Sequence, residues 1–377
     1  MNVESLEIRE VLSAAPTSMT QYALELVNMV RTNPAAAADW VAKNIDSIDK
    51  STLDYYHINL QQELNDIRNT PAQPPLAWND AIGAAAQGHS NDQAANNFQG
   101  HNGSNGDNLG DRLSNAGYIA SNSSEDAFAY ATSVDHALKA FLIDWGVADK
   151  GHRRNLMQPG VSANNAFKEV GIGITETGTP ANTPNHVGPN VVTIDFGSQA
   201  NAPAQLLGVT YNDNNHNGLY APGEGVGNVL IQARNVATGE LASTVSSPQG
   251  GYQMPLAPGT YVVYDVVNGV TQNTQTINFG TTNVKVDFNN IATAPASSVP
   301  SYRSAPAPAP APQPVVVQAP VVVNETVVPQ QQPITIAPSI FAQFGRPNHT
   351  NNLLTGSVNP QSFVNNWIGF RGNVRIS

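Results

Sequence analysis

Gly151-His152-Arg153-Arg154-Asn155-Leu156 is followed by Glu169-Val170-Gly171-Ile172-Gly173 and then by Asp195-Phe196-Gly197. Residues 168–175 and 190–196 are short, apolar and rich in β-branched residues, so they read as strands. Upstream, residues 125–145 carry Phe128, Ala131, Leu138, Phe141 and Leu142 as an apolar stripe. The expectation there is one helix, with Glu125 at its start and Asp144 late in it. Residues 80–97, rich in Ala and Gln and opened by Asn79 or Asp80, read as another helix. Residues 18–44 read as a third: Thr17 or Ser18 can cap it, Tyr22, Leu26, Met29 and Val30 share a face, and Asn33-Pro34 interrupts it before residues 35–42 resume. Helices mixed with few strands make residues 18–200 an α+β domain.

Chemistry-bearing residues fall on separate elements of this region. His101 opens His101-Asn102-Gly103-Ser104-Asn105-Gly106, and Glu125, Asp144 and His152 follow. Two imidazoles and two carboxylates are the ingredients of a divalent metal site or an acid–base site. Zinc would need both rings neutral, with carboxylates orienting their second N–H groups. His89 and Asp92 on the 80–97 helix are further candidates for the same cleft. Neither Gly-x-Ser-x-Gly nor His-Glu-x-x-His occurs, so no catalytic residue is assigned.

Three blocks together resemble the CAP superfamily in its bacterial SCP form, over roughly 180 residues. The first is Leu26-Val27-Asn28-Met29-Val30-Arg31 with Pro75-Leu76-Ala77-Trp78-Asn79. The second is His101-x-Gly-Ser-x-Gly with Asp111-Arg112 and Ala116-Gly117-Tyr118, and the third is the 151–197 stretch quoted above. The resemblance implies an α-β-α sandwich with a cleft holding two His and two acids. Matched residue by residue, these are His101, Glu125, Asp144 and His152. Two departures stand out: the usual Gly-Glu-Asn is Ser123-Ser124-Glu125-Asp126, and the second acid is Asp rather than Glu. Members of the superfamily are tied to lipid binding, metal-dependent surface interactions and, in a few, proteolysis.

From residue 205 the texture changes to short strands separated by Gly and Pro turns, the pattern of a small all-β sandwich over 205–290. Its opening segment, Asp213-Asn214-Asn215-His216-Asn217-Gly218-Leu219-Tyr220-Ala221-Pro222-Gly223-Glu224, fits D-x-[DN]-x-[DN]-G-x5-E without a gap. Oxygens of Asp213, Asn215 and Asn217, the carbonyl of Leu219 and a bidentate Glu224 would suit calcium. Only two of these ligands are charged, which places the affinity in the weak extracellular range, on the order of 10⁻⁴–10⁻³ M. The loop, with Gly250-Gly251-Tyr252 and Pro258-Gly259-Thr260-Tyr261, resembles the SdrD B-like repeat of bacterial surface proteins, a Cna-B-type sandwich. Some relatives carry an isopeptide bond; Lys285 is the only Lys here, and no partner for it is identifiable from the sequence.

Composition frames these readings. The 377 residues hold no Cys, which excludes disulfides, thiolate zinc sites and cysteine nucleophiles. Charged residues are 12 % against a usual ~25 %, and the net charge is -11, so the basic footprint of a nucleic-acid binder is missing. No run of 18 apolar residues marks a transmembrane segment. Residues 291–338 hold eleven of the 27 prolines and read as a Pro/Ala/Val-rich disordered linker, with 339–377 as a C-terminal tail. Residues 1–17 resemble the "LE-x-LE-x-R-x-LLSA" segment that opens many exported proteins of planctomycete-type bacteria. The function expected is a secreted or cell-surface binding or structural module. Its extracellular ligand would be a lipid, a polysaccharide or a protein, calcium would sit in the sandwich, and zinc or another divalent metal is a candidate for the cleft. The alternative is a secreted metal-dependent hydrolase or protease acting through the His/acid cleft.

Overall fold

The computed structural model describes residues 16–291. The expectations for residues 1–15 and 292–377 lie outside the described residues.

Helix α1 (Ser18–Thr32) starts where Thr17 Oγ1 accepts from the Thr20 amide, and Asn33 ends it. The same Asn33 caps α2 (Pro34–Lys43) by accepting from Ala36 N, with Pro34 in the first turn, where its missing N–H costs nothing. Thus Asn33-Pro34 is a break, as expected. Two further helices, α3 (Ser47–Tyr55) and α4 (Leu60–Asn69), are capped by Asp46 and Asn59. Strand β1 (Ala77–Trp78) leads into α5 (Asp80–Asn96), capped by Asn79, and then α6 (Leu109–Asn115).

The expected helix over 125–145 is instead a strand and a helix: β2 (Asn122–Ala131) and α7 (Val134–Ile143), with Ser133 as N-cap. The apolar spacing of Phe128 and Ala131 suits either period over so short a run. Pairing with a buried neighbouring strand decides it: Glu125, Asp126, Ala127 and Phe128 lie opposite Asp195, Ile194, Thr193 and Val192. Glu125 therefore sits mid-strand rather than at a helix start. Helix α8 (Gly151–Met157), β3 (Glu169–Glu176) and β4 (Asn190–Ser198) complete the first lobe.

The sheet runs β1-β3-β4-β2 and is mixed, β1 being parallel to β3 and the rest antiparallel. One face packs on α5, so closely that a Cβ at Gly171 or Gly173 would collide with backbone atoms of Ile82–Gly83 and Ala86–Gln87. The other face carries Phe128, Val170, Ile172, Val192, Ile194 and Phe196 into a core shared with α1, α2, α7 and α8. This is an α-β-α sandwich. Arg31, fully buried, ties the chain together by donating to the carbonyls of Pro74 and Leu156 and to Gln158 Oε1. Burial pushes its pKa down to about 9.

The second lobe contains β5 (Gln205–Tyr211), β6 (Leu230–Asn235), β7 (Leu241–Val245), β8 (Gly251–Pro255), β9 (Gly259–Val267), β10 (Val270–Phe279), β11 (Val284–Lys285) and β12 (Phe288–Asn289). One sheet is β10-β9-β6-β7 and antiparallel. The other centres on β5, which pairs antiparallel with β8 and parallel with β11 and β12. Ile231, Val263, Tyr252 and Phe288 fill the space between the sheets. The core is all-β, as the turn spacing predicts.

The two lobes share a seam. Asn283 Nδ2 donates to the carbonyls of Pro75 (3.0 Å) and Lys168 (2.8 Å), and its Oδ1 accepts from Gln205 N. Lys285 Nζ stands 2.7 Å from Glu25 Oε2 of α1 and also pairs with Asp287. Tyr22 of α1 packs against Val209, Tyr211 and Tyr220. Among the described residues no helix is long and apolar enough to cross a membrane.

Candidate functional site

The four cleft residues form two His–carboxylate pairs, one on each side of β2. On the α5 side, His101 Nδ1 lies 2.8 Å from Glu125 Oε1, while Arg112 of α6 pairs with Glu125 Oε2. His89, projecting from α5, brings Nε2 to 3.8 Å from the same Glu125 oxygen and 2.7 Å from the Gly100 carbonyl. Asp92 is turned elsewhere, holding the amide and hydroxyl of Ser104.

On the opposite side, Asp144 ends α7 in the left-handed region, at φ 58°. Its Oδ1 is 2.7 Å from His152 Nδ1, and its Oδ2 accepts from the amides of His152 and Arg153. Asp144 thereby supplies the anion at the start of α8, whose own N-cap residue, Lys150, makes no side-chain cap. Asn155 of α8 ties that helix to β2, donating to Asp126 Oδ1 (2.7 Å) and weakly to the Glu125 backbone carbonyl.

The electrostatics differ between the pairs. Burial pushes the Glu125 carboxyl up, but the His101 hydrogen bond and the charges of His89, Arg112 and His101 outweigh it and hold it below the usual range. Asp195 is directly across the ladder from Glu125, and burial together with the Glu125 charge drives it well above that range. Asp126 is raised to about 8, chiefly by burial, with the charges of Asp144 and Glu125 adding to it. Burial would lower His152, yet the Asp144 hydrogen bond and charge raise it. Burial lowers His89.

Arg112, Asp126, Asp195 and Asn155 thus belong to the site, although residue type and motif alone single out none of them. All four lie inside quoted stretches, but their partners lie elsewhere in the chain: the register of β2 against β4 brings Asp195 to Glu125, and the packing of α6 brings Arg112 to it.

In the second lobe, Gly218 holds φ +77° at the sixth loop position, the sharp turn that glycine permits there. Asp213 Oδ1 and Oδ2 accept from the amides of Asn217 and Gly218, Asn215 Oδ1 from Asn217 N, and Asn217 Oδ1 from Leu219 N. Buried Glu224 closes the loop, Oε1 accepting from Asn214 and Asn215 and Oε2 from Ala221. The residue beside the Leu219 carbonyl position also matters structurally: the Leu219 side chain packs against the first lobe's core, and Tyr220 lies against Tyr22 and Tyr211.

Residues 61–180 match the family model "CAP: Cysteine-rich secretory protein family". That span runs from α4 past β3 and contains all four cleft residues. A solved structure, described as an extracellular protein containing a SCP domain from Bacillus anthracis str. Ames, is similar at 27% identity and a TM-score of 0.26. The similarity covers 37% of this chain and 40% of that one, less than half the length of either. No curated protein sequence matches.

Proposed function

We propose that this chain is an extracellular binding module: a CAP/SCP-type lobe whose His/acid cleft is a recognition surface, carried by a calcium-binding sandwich of the SdrD B-like kind. The family match over 61–180 supports the first part. The observation that carries the choice of binding over hydrolysis is the engagement of both cleft carboxylates. Glu125 is held between His101 and Arg112, and Asp144 between the His152 ring and two amides of α8. A carboxylate with both oxygens engaged in this way is poorly placed to activate a water.

A divalent metal belongs to the CAP-type expectation for the cleft. Each ring presents Nδ1 to a carboxylate, the arrangement that orients a ligating imidazole. The carboxylates are then orienting groups and not ligands, which leaves the two imidazoles as the donors. Among the described residues no group of three or more His, Asp and Glu stands so as to hold a metal ion. The donors therefore do not fit a protein-held zinc site.

For the sandwich loop, the unbroken D-x-[DN]-x-[DN]-G-x5-E spacing from Asp213 to Glu224, through Asn215, Asn217 and the Leu219 position, with Gly218 at φ +77° in the sixth place, supports calcium. Calorimetric titration of the full chain should give one calcium site with Kd on the order of 10⁻⁴–10⁻³ M, absent in Glu224→Gln. Incubation with a peptide library and nitrophenyl esters should give no turnover above that of the His101→Ala and His152→Ala proteins. Turnover that disappears in both variants would establish the hydrolase instead.

A further inference from the structure

A groove of about 340 Å³ opens at the lobe seam, sharing no lining residue with the His/acid pairs. Its polar walls come from both lobes: Trp78, Asn79, Asp80 and Glu169 from the first, Gln205 and Gln253 from the second. Elsewhere along the seam the lobes meet through the Tyr22–Tyr220 packing and the Glu25–Lys285 pair.

We infer that this groove is a binding site for an uncharged oligosaccharide. The lining contains no Lys, Arg or His, which removes the partner that a phosphate, sulfate or carboxylate would require. Apart from the indole its apolar part is two alanines, Ala77 and Ala81, too little for a lipid chain. What remains is one aromatic ring among planar carboxylate and amide groups, which together offer donors and acceptors to a hydroxyl-rich ligand.

Several of these groups are held in place. Trp78 Nε1 donates to Asp80 Oδ1 at 2.8 Å, and the indole rests on Gly83 of α5, where an added Cβ would come within 2.5 Å of Trp78 Cζ2. Glu169 accepts from Asn79 Nδ2 (2.8 Å) and Tyr118 Oη (2.7 Å). Gln253 is anchored by donating Nε2 to the Trp78 carbonyl at 3.0 Å. A ring and carboxylate fixed before binding lower the ordering cost that weak sugar ligands must meet.

The test is calorimetric titration of the full chain with cellohexaose, with chitohexaose and with a heparin-derived hexasaccharide. Saturable millimolar or tighter binding of at least one uncharged sugar is expected, and none of the heparin fragment. Trp78→Ala should weaken that binding about tenfold or more. Gly83→Ala should do likewise by displacing the indole, and exposed Gln253→Ala, which leaves the first lobe's core untouched, should weaken it several-fold even if the other two variants fold poorly. His101→Ala should bind as the parent does, which separates this site from the cleft. Absence of saturable binding to both uncharged sugars, preference for the heparin fragment, or equal affinity of parent and Gln253→Ala with folded Trp78→Ala would overturn the inference.

Discussion

Glu125 of β2 and Asp195 of β4 stand directly opposite each other in the sheet, both buried, with the Arg112 guanidinium on Glu125. Two carboxylates so placed in a poorly solvated site do not both ionise. Glu125 keeps the charge because His101 and Arg112 reward it, and Asp195 keeps its proton.

Charge removal should therefore act unequally on this pair. Asp195→Asn replaces one neutral group by another and should change stability by no more than about 1 kcal/mol at pH 7. Glu125→Gln leaves Arg112 without its carboxylate and should cost about 3–5 kcal/mol. Urea unfolding of both variants checks this; a larger loss for Asp195→Asn would reverse the assignment.

Stability should fall on both sides of a mid-range pH. Asp126 is raised to about 8 by burial, so the folded chain holds a proton that the unfolded chain releases near its ordinary value of ~3.9. Stability from this group declines as pH climbs between those values. His152, also raised, contributes stability below ~6.5 that is lost as pH rises through its folded value. His136 is pushed down to about 4 by burial, so acid favours the unfolded state as pH falls from ~6.5 toward 4. Thermal melts should show Asp126→Asn gaining a few degrees over the parent at pH 8 and nothing at pH 4.

Gly171→Ala should destabilise the first lobe by more than the ~1–3 kcal/mol usual for overpacking, because the added methyl meets the rigid backbone of α5. Far-UV circular dichroism with urea titration reads the change. A stability equal to the parent's would mean that α5 can lift off β3 at little cost.

Calcium at a weak site and millimolar concentration should add roughly 1 kcal/mol. Leu219 and Tyr220 of that loop pack onto the first lobe, so the gain should not stay in the second lobe. Chelation should lower one shared melting transition by about 2–4 °C, and Glu224→Gln should abolish the difference. Two separate transitions, with only one sensitive to calcium, would contradict the shared seam.

Local signals carried much of the fold. The Asn33-Pro34 break, the cap at Asn79, the strands β3 and β4 and the turn-spaced strands of the second lobe all follow from neighbours in the chain. The 125–145 segment did not, since its apolar spacing fits two periods and β4 chooses between them through contacts about 70 residues away. The site divides in the same way. His101, Glu125, Asp144 and His152 could be picked out by residue type and motif. The neutral Asp195 depends on the register of β2 against β4, and the His101 and Arg112 contacts to Glu125 on how the 101–115 segment packs against β2, neither of which a local pattern encodes. Helix α3 is short and largely polar, with few apolar positions to mark a face, whereas α4 carries Leu60, Leu64 and Ile67 at helical spacing, a signal that could have found it.

The parallel pairing of β5 with β11 and β12 sets how the second lobe bears a load. Tension that enters at Gln205 and leaves past Asn289 pulls these strands lengthwise past one another, so their hydrogen bonds share the force and must break together. An antiparallel pair pulled from neighbouring ends would open like a zipper, one bond at a time. Against a pull along that line the second lobe therefore resists unravelling better than an antiparallel pair of the same length would.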